Sequence, residues 1–553
     1  MYKQVLDPVS HSLGASSIFA LLPLVVLFVL LGVVRMKAQW ASLITLGVAI
    51  VVAVAVYSMP IGQAGDSALE GAVFGFWPIM WIVINALWIY NMSDETGHFA
   101  VLKRAFAEIS DDVRVQVVVI AFCFGALLEA LAGFGTPVAI CGVMLMGIGL
   151  SPLRAATVAL VADTAPVAFG AIAIPITTLG QVSGLPTHDL SQMVGRQTPF
   201  LALLIPFVLV FIVDGRRGLR ETWPAVLTAG LVFALLQFVV SNYISMELTD
   251  IIASLGSAAA VVTLLTVWSP RGRAATVAGR HRPAIAGGSV SDAALERRKL
   301  AEDDSRKPTR REMFLAFAPY LIIVVVLGLV SLHPIQNQLD KLTSEFSWPG
   351  LHVLNAKGKA PTSETFKANW LTAAGTWLLV SGILTMLVLR VRPRVALRVY
   401  GRTLAQIKWA LVTVCSVLAL AYVMNMSGQT ATLGTWAAGA GGFFAFLSPL
   451  IGWFGTAVTG SDTSTNSLFG ALQVTAAHKS SLSPTLLAAA NSSGGVLAKM
   501  VSPQNLAIGA AAVGLAGQEG HIFRKVIGWS VGLVLLMACL VLLQSGPLSW
   551  MVP

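Results

Sequence analysis

The chain has 553 residues, 56% of them hydrophobic and 11% charged, with a mean hydropathy of +0.78. A soluble domain carries about 25% charged residues, so this composition excludes an ordinary soluble fold and indicates a polytopic membrane protein. The net charge of +10 does not indicate a nucleic-acid partner, because Arg271–Glu312 alone holds 11 Lys/Arg against 6 Asp/Glu and the other basic clusters sit in short connectors, as the positive-inside rule produces.

Apolar runs fall near 16–34, 39–57, 70–90, 115–132, 135–150, 155–180, 197–213, 223–241, 251–268, 313–332, 369–388, 406–427, 436–458, 464–477, 485–512 and 527–545. No short apolar leader with a cleavage signal precedes the first run, so it is expected to remain as an anchor. Basic connectors place 35–38, 91–114, 214–222, 269–312, 389–405 and 519–526 in the cytoplasm, and 58–69, 242–250 and 333–368 outside, with both termini external. Residues 269–312, rich in Ala, Gly and charge, read as a flexible cytoplasmic loop between an N-terminal half (1–268) and a C-terminal half (313–553). Residues 333–368 read as an exterior loop, and no soluble domain is expected in either segment. Cys123, Cys141, Cys415 and Cys539 all lie in apolar segments without paired spacing, so they are expected to pack rather than to form disulfides or hold a metal.

Two blocks interrupt the apolar pattern. The first runs from FCFGALLEALAGFGTPVAI (Phe122–Ile140) to VADTAPVAFGAIAIPI (Val161–Ile176), and the second from WFGTAVTGSDTSTNSLFG (Trp453–Gly470) to AANSSGGVLAKMVSPQNLAIG (Ala489–Gly509). The interval from Gly133 to Asp163 nearly equals that from Gly460 to Asn491, and a proline then follows at the same distance in each block, at Pro175 and Pro503. The first block is entered from the cytoplasm and the second from outside, so the blocks are inverted repeats. Gly and Pro in mid-membrane open the helical ladder, and lipid cannot satisfy the freed groups; such breaks survive where they line a buried polar cavity. The pattern predicts helical hairpins over 115–150 and 436–477, with tips at Gly133–Pro137 and Gly460–Thr465. It predicts broken helices over 155–180 and 485–512, interrupted near Asp163–Pro166 and Asn491–Gly495. The expected fold is therefore all-α and polytopic, with about 12 transmembrane helices plus two re-entrant hairpins in two inverted repeats.

Glu129, Asp163, Asp462 and Lys499 are the acidic and basic residues within the four quoted stretches of these blocks. An acid or lysine at mid-membrane costs about 2.5–3.5 kcal/mol on insertion scales, so each needs a partner or a wet cavity. Lys499 is the basic candidate for a substrate carboxylate, or for pairing with a buried acid such as Asp462. Glu129, enclosed by Ala, Leu and Gly, is a proton-carrier candidate. The plain alternative for each is a static ion pair. Half-helix N-termini at the breaks suit a small anion. No Walker A motif, H-E-x-x-H or Arg-spaced voltage-sensor helix occurs in the sequence, and no nucleophile–base pair supports a membrane-embedded enzyme.

The sequence resembles the L-lactate permease family of bacterial proton symporters from end to end. The resemblance is carried by FGFWPIMWIVINA (Phe74–Ala86), FCFGALLEALAGFGTPVAI, DTAPVAFGA (Asp163–Ala171), MVGRQTPF (Met193–Phe200), DGRRGLRETWPAV (Asp214–Val226), TGSDTSTNSLFGALQ (Thr459–Gln473) and KMVSPQNLAI (Lys499–Ile508). It implies uptake of L-lactate and glycolate with protons across the bacterial inner membrane, and kinship with transporters that move a hairpin-bearing domain in an elevator motion. Asn is the family's expected residue at position 163, which ranks Asp163 below Glu129 as a proton carrier. In this reading Lys499 holds the carboxylate, while Gly135, Thr136, Ser461, Thr463, Ser464, Asn466, Asn491 and Ser492 contribute substrate contacts. Glu129, Asp462 and Asp163 carry or tune the proton. No cofactor is expected; the partners are the substrate, protons, the bilayer and, left open, a second copy in a homodimer. The alternative within transport is a sodium-coupled carboxylate carrier using the oxygens of TGSDTSTN.

Overall fold

A computed structural model describes residues 2–553 except 108, 134, 271–308, 331, 357, 359, 362 and 363. Most of the expected cytoplasmic loop 269–312 thus lies outside the described residues. The rest is overwhelmingly helical, because long charge-free apolar runs can satisfy their backbone polar groups in lipid only within their own helix. Among the described residues ten helices are long and apolar enough to cross a membrane, or eleven if a bent pair is one span. The count falls below the expected twelve for two reasons. The runs 197–213 and 223–241 continue as one helix, Thr198–Tyr243, of 46 residues, articulated at Gly215 with φ 62°. With a helical rise of about 1.5 Å per residue, it far exceeds the thickness of one bilayer. Ala374–Val388, with 15 residues, falls short of a full crossing.

Two helix–turn–helix units are built around glycine turns. The first descends through Val113–Val117, a π-helical stretch Val118–Phe124 and Gly125–Leu131, turns, and returns as Thr136–Gly147. Gly133 and Gly135 hold φ of 49° and 80°, a left-handed conformation that glycine adopts without a Cβ penalty. The second hairpin joins Phe444–Thr459 to Asp462–Lys479 through Gly460, φ 76°. Ser461 caps its returning arm by accepting a hydrogen bond from the Ser464 N–H.

The broken helices follow in each half. Pro152–Ala162 and Val167–Ser183 meet at a bend of 62°, and the interruption at Asp163–Pro166 is where the sequence predicts it. Just beyond, Ala171, Ile172 and Ala173 all hold positive φ, at 45°, 59° and 57°. In the second half Pro484–Gly495 gives way to a 3₁₀ turn, Val496–Val501, before Pro503–Ala512. This break lies after the predicted Asn491–Gly495, because the ladder is opened by Pro503, which has no N–H, and by the extended cap residue Ser502.

The hairpins and breaks interlock at backbone distance. A Cβ on Gly452 would sit 1.9 Å from the Asn491 carbonyl, and one on Gly494 would sit 2.0 Å from that of Pro449. Only glycine permits this approach. Each hairpin also meets the opposite repeat: a Cβ on Gly135 would fall 2.5 Å from Ile508 Cδ1, and Asn466 Nδ2 donates to the Pro175 carbonyl at 3.2 Å.

Segment 333–368, expected outside, is more ordered than a plain loop. Ser344–Ser347 pairs antiparallel with Thr365–Ala368, and Val353–Leu354 pairs parallel with Tyr2–Lys3. The Tyr2 hydroxyl lies 2.9 and 2.8 Å from the Tyr57 and Ser427 carbonyls, tying the start of the chain to two helix ends. Beside this segment a cavity of about 870 Å³ opens between Thr177, Gln181, Glu247, Lys367 and Asn369.

Candidate functional site

The two breaks and the two tips converge on one ionic centre. Lys499, in the second break, is buried, and its Nζ donates to Glu129 Oε1 at 2.6 Å. The same nitrogen lies 3.0 Å from Asp163 Oδ2; this is an ion contact rather than an aligned hydrogen bond, since both Asp163 oxygens lack a hydrogen-bond partner. Glu129 comes from the descending arm of the first hairpin and Asp163 from the first break. One cation from late in the chain therefore serves two acids from its first third. The unpartnered Glu129 Oε2 leaves acceptor capacity beside it.

Asp462 is held differently. Ser492 Oγ donates to its Oδ2 at 2.6 Å and Asn466 Nδ2 at 3.3 Å. Behind them Asn491 Nδ2 donates to Asn466 Oδ1 at 2.9 Å, Gln473 Nε2 to Asn491 Oδ1 at 3.2 Å, and Ser448 Oγ to Gln473 Oε1 at 2.9 Å. Asp462 Oδ1 has no partner and faces Gly495, where a Cβ would lie 2.2 Å away. The pairing of Asp462 with Lys499 raised by the sequence is not formed. The 3₁₀ turn that carries Lys499 presents its ammonium to the first repeat, and two hydrogen-bond donors already serve Asp462.

Between the tips lies a cavity of about 70 Å³. A single enclosed water needs roughly 10–15 Å³ on the same measure, so the space suits a ligand of a few heavy atoms. Of the sequence-predicted residues, Glu129, Ser461, Asp462, Thr463 and Lys499 line it. Asp163, Gly135, Thr136, Ser464, Asn466, Asn491 and Ser492 do not: Asn466, Asn491 and Ser492 instead form the network that grips Asp462, and Ser464 gives its N–H to the Ser461 cap. Sequence reasoning missed Gly170, Pro175, Gln504 and Asn505, which line the same space. The last two were signalled by Ser502-Pro503-Gln504-Asn505: a cap serine, a helix-starting proline, then two amides on the first turn. The helices beginning at Asp462 and Pro503 both start at the cavity and direct their positive dipole ends and free first-turn N–H groups toward it, an arrangement suited to an anion.

The first break is also fastened from behind. Gln237 Nε2 reaches the Ala165 carbonyl at 3.4 Å and Asp250 Oδ1 at 3.1 Å. Asp250 is a buried acid outside the two blocks, and its Oδ2 is unpartnered.

The family profile described as L-lactate permease matches residues 16–546. The chain belongs to the L-lactate permease family. Among the family's curated members, the L-lactate permease of Bacillus subtilis (strain 168) is 39% identical over the whole of both chains. The glycolate permease GlcA of Escherichia coli (strain K12) is 40% identical over 96% of each chain, and the L-lactate permease of the same strain is 38% identical over all of both. Family membership and the apolar spans together make this a multi-pass membrane transporter.

Proposed function

We propose that the protein imports L-lactate, and with it glycolate and related 2-hydroxy monocarboxylates, by proton symport across the bacterial inner membrane. The observation that carries this reading is Lys499, one buried cation shared by Glu129 and Asp163 beside a small cavity. The names of the full-length relatives support the choice of lactate and glycolate.

The coupling follows from charge balance. A carboxylate that enters the cavity competes with Glu129 and Asp163 for Lys499. Without compensation the buried cluster would gain a negative charge, and an unpaired ion in such surroundings costs several kcal/mol. A proton taken up by Glu129, whose Oε2 has no partner, restores the balance. Proton and anion then cross together, and neither binds well alone. Asp462, held by Ser492 and Asn466, stands on the same cavity wall as Lys499. Ser461 and Thr463 offer hydroxyls at the cavity wall. The two repeats would carry this centre across the membrane in an elevator motion, with both termini in the periplasm.

Proteoliposomes containing the purified protein test the reading. Addition of L-lactate or glycolate in sodium-free buffer is expected to alkalinise the outside medium, and labelled lactate should be recovered chemically intact from the lumen. Accumulation that requires sodium and leaves pH unchanged would overturn proton coupling in favour of a sodium-coupled carrier. Recovery of a converted product would overturn transport itself.

A further inference from the structure

The geometry points to Asn505 as the residue that reads the substrate's 2-hydroxyl, by accepting its hydrogen bond at Oδ1. This inference rests on the lactate reading and extends it to a specificity determinant.

Asn505 is 1% exposed and lines the cavity. Its amide orientation is fixed by its neighbours. Nδ2 lies 3.2 Å from the carbonyl oxygen of Gly460, at the second hairpin tip, and 2.9 Å from Ser502 Oγ. A carbonyl can only accept, so the group facing Gly460 must be the NH₂; the flipped amide would oppose two oxygens. Both amide hydrogens are thereby committed to protein. Oδ1 is left on the other side, toward the first hairpin tip, where a Cβ on Gly135 would come within 3.4 Å of it. No donor among the described residues reaches Oδ1, yet it is not among the sealed, unpartnered oxygens of the interior. Asn505 thus brings to the wall of a small cavity an acceptor whose direction is fixed by the two bonds of its Nδ2.

The chemistry of the remaining wall selects the ligand group. In a 2-hydroxy acid the hydroxyl is one carbon from the carboxylate, so both must fit the same space. Lys499 and the helix starts take the carboxylate as donors. An acceptor beside them suits a hydroxyl hydrogen. It is mismatched to the carbonyl oxygen of a 2-keto acid, and it gains nothing from an unsubstituted acid. Ser502 couples the two functions, because its Oγ donates to the Lys499 carbonyl at 2.9 Å while accepting from Asn505. A site whose buried polar group is left unmatched rejects the wrong analogue far more strongly than an apolar pocket does.

The test is competition against labelled L-lactate uptake in proteoliposomes, with unlabelled L-lactate, propionate and pyruvate. Wild-type protein should prefer lactate over propionate by at least about tenfold. In Asn505→Leu that ratio should collapse toward unity through loss of lactate affinity, with propionate affinity little changed. Asn505→Ser, which withdraws the acceptor without adding apolar bulk, should show the same collapse and covers the case in which the leucine variant fails to fold. Ser502→Ala removes a partner of Nδ2 but leaves Oδ1, so it should weaken both acids by one common factor. An unchanged ratio in a folded Asn505 variant, or equal weakening of both acids, would overturn the assignment. Failure of wild-type protein to take up lactate at all would instead overturn the transport reading.

Discussion

Lys499→Ala is expected to abolish L-lactate binding by the purified, folded protein. Two effects act in the same direction. The substrate carboxylate loses the one side-chain cation that lines the cavity among the described residues, and charge-assisted hydrogen bonds are about twice as strong as neutral ones. Glu129 and Asp163, now unpaired and buried, add further negative charge where an anion must bind. Breaking a buried pair by removal of one partner typically costs about 3–5 kcal/mol, so the variant should also unfold at lower temperature unless the acids take up protons. Titration calorimetry with L-lactate should show an affinity loss beyond about a hundredfold. Size-exclusion behaviour must confirm that the protein is folded, and normal affinity in a folded sample would remove Lys499 from the substrate site.

Glu129→Gln should separate movement of substrate from its coupling. The amide keeps the side chain's volume, and its Oε1 can still accept from Lys499, so the tip and the break should hold their arrangement. The variant cannot take up a proton at that position. Exchange of labelled for unlabelled lactate across the liposome membrane should therefore continue, whereas accumulation driven by a pH gradient and the accompanying external alkalinisation should be lost. Asp163→Asn supplies the comparison: it leaves Glu129 as the carrier, so gradient-driven accumulation is expected to survive. If Glu129→Gln still concentrates lactate with alkalinisation, the proton resides elsewhere, and the unpartnered oxygens of Asp462 and Asp250 are the next places to look.

Much of the architecture was readable because its causes are local. Glycines at 133, 135 and 460 and prolines at 175 and 503 mark positions where an apolar helix cannot continue. The matched intervals from Gly133 to Asp163 and from Gly460 to Asn491 expose the repeat. The four intramembrane ions were conspicuous against a background with few charges. Their pairing was not readable, because Lys499 and Glu129 are 370 residues apart and the order of residues says nothing about which acid a lysine meets in space. Asn466, Asn491 and Ser492 looked like substrate contacts from composition alone; the fold turns them inward to grip Asp462. Asn505 lay within a motif that carried the family resemblance, yet an amide on the first turn of a helix gives no sign in sequence of the direction in which its oxygen points. The second break also eluded a reading based on polar residues, since Pro503 and Ser502 set it and the polar run at 491–493 stays helical.

The two breaks differ in one respect that bears on kinetics. The first passes through Ala171, Ile172 and Ala173, three consecutive residues in the left-handed region, each about 1–2 kcal/mol above the ordinary right-handed conformation. The second turns through a 3₁₀ segment and an extended serine, both unstrained. The first break is thus strained and the second relaxed. Gradients alone fix where net flux stops, but the heights of the barriers on the way follow from these local conformations. Under the proposed transport cycle, uptake and exit are therefore expected to differ in maximal rate and half-saturation concentration while sharing one equilibrium, which initial rates measured in both directions across the liposome membrane would check.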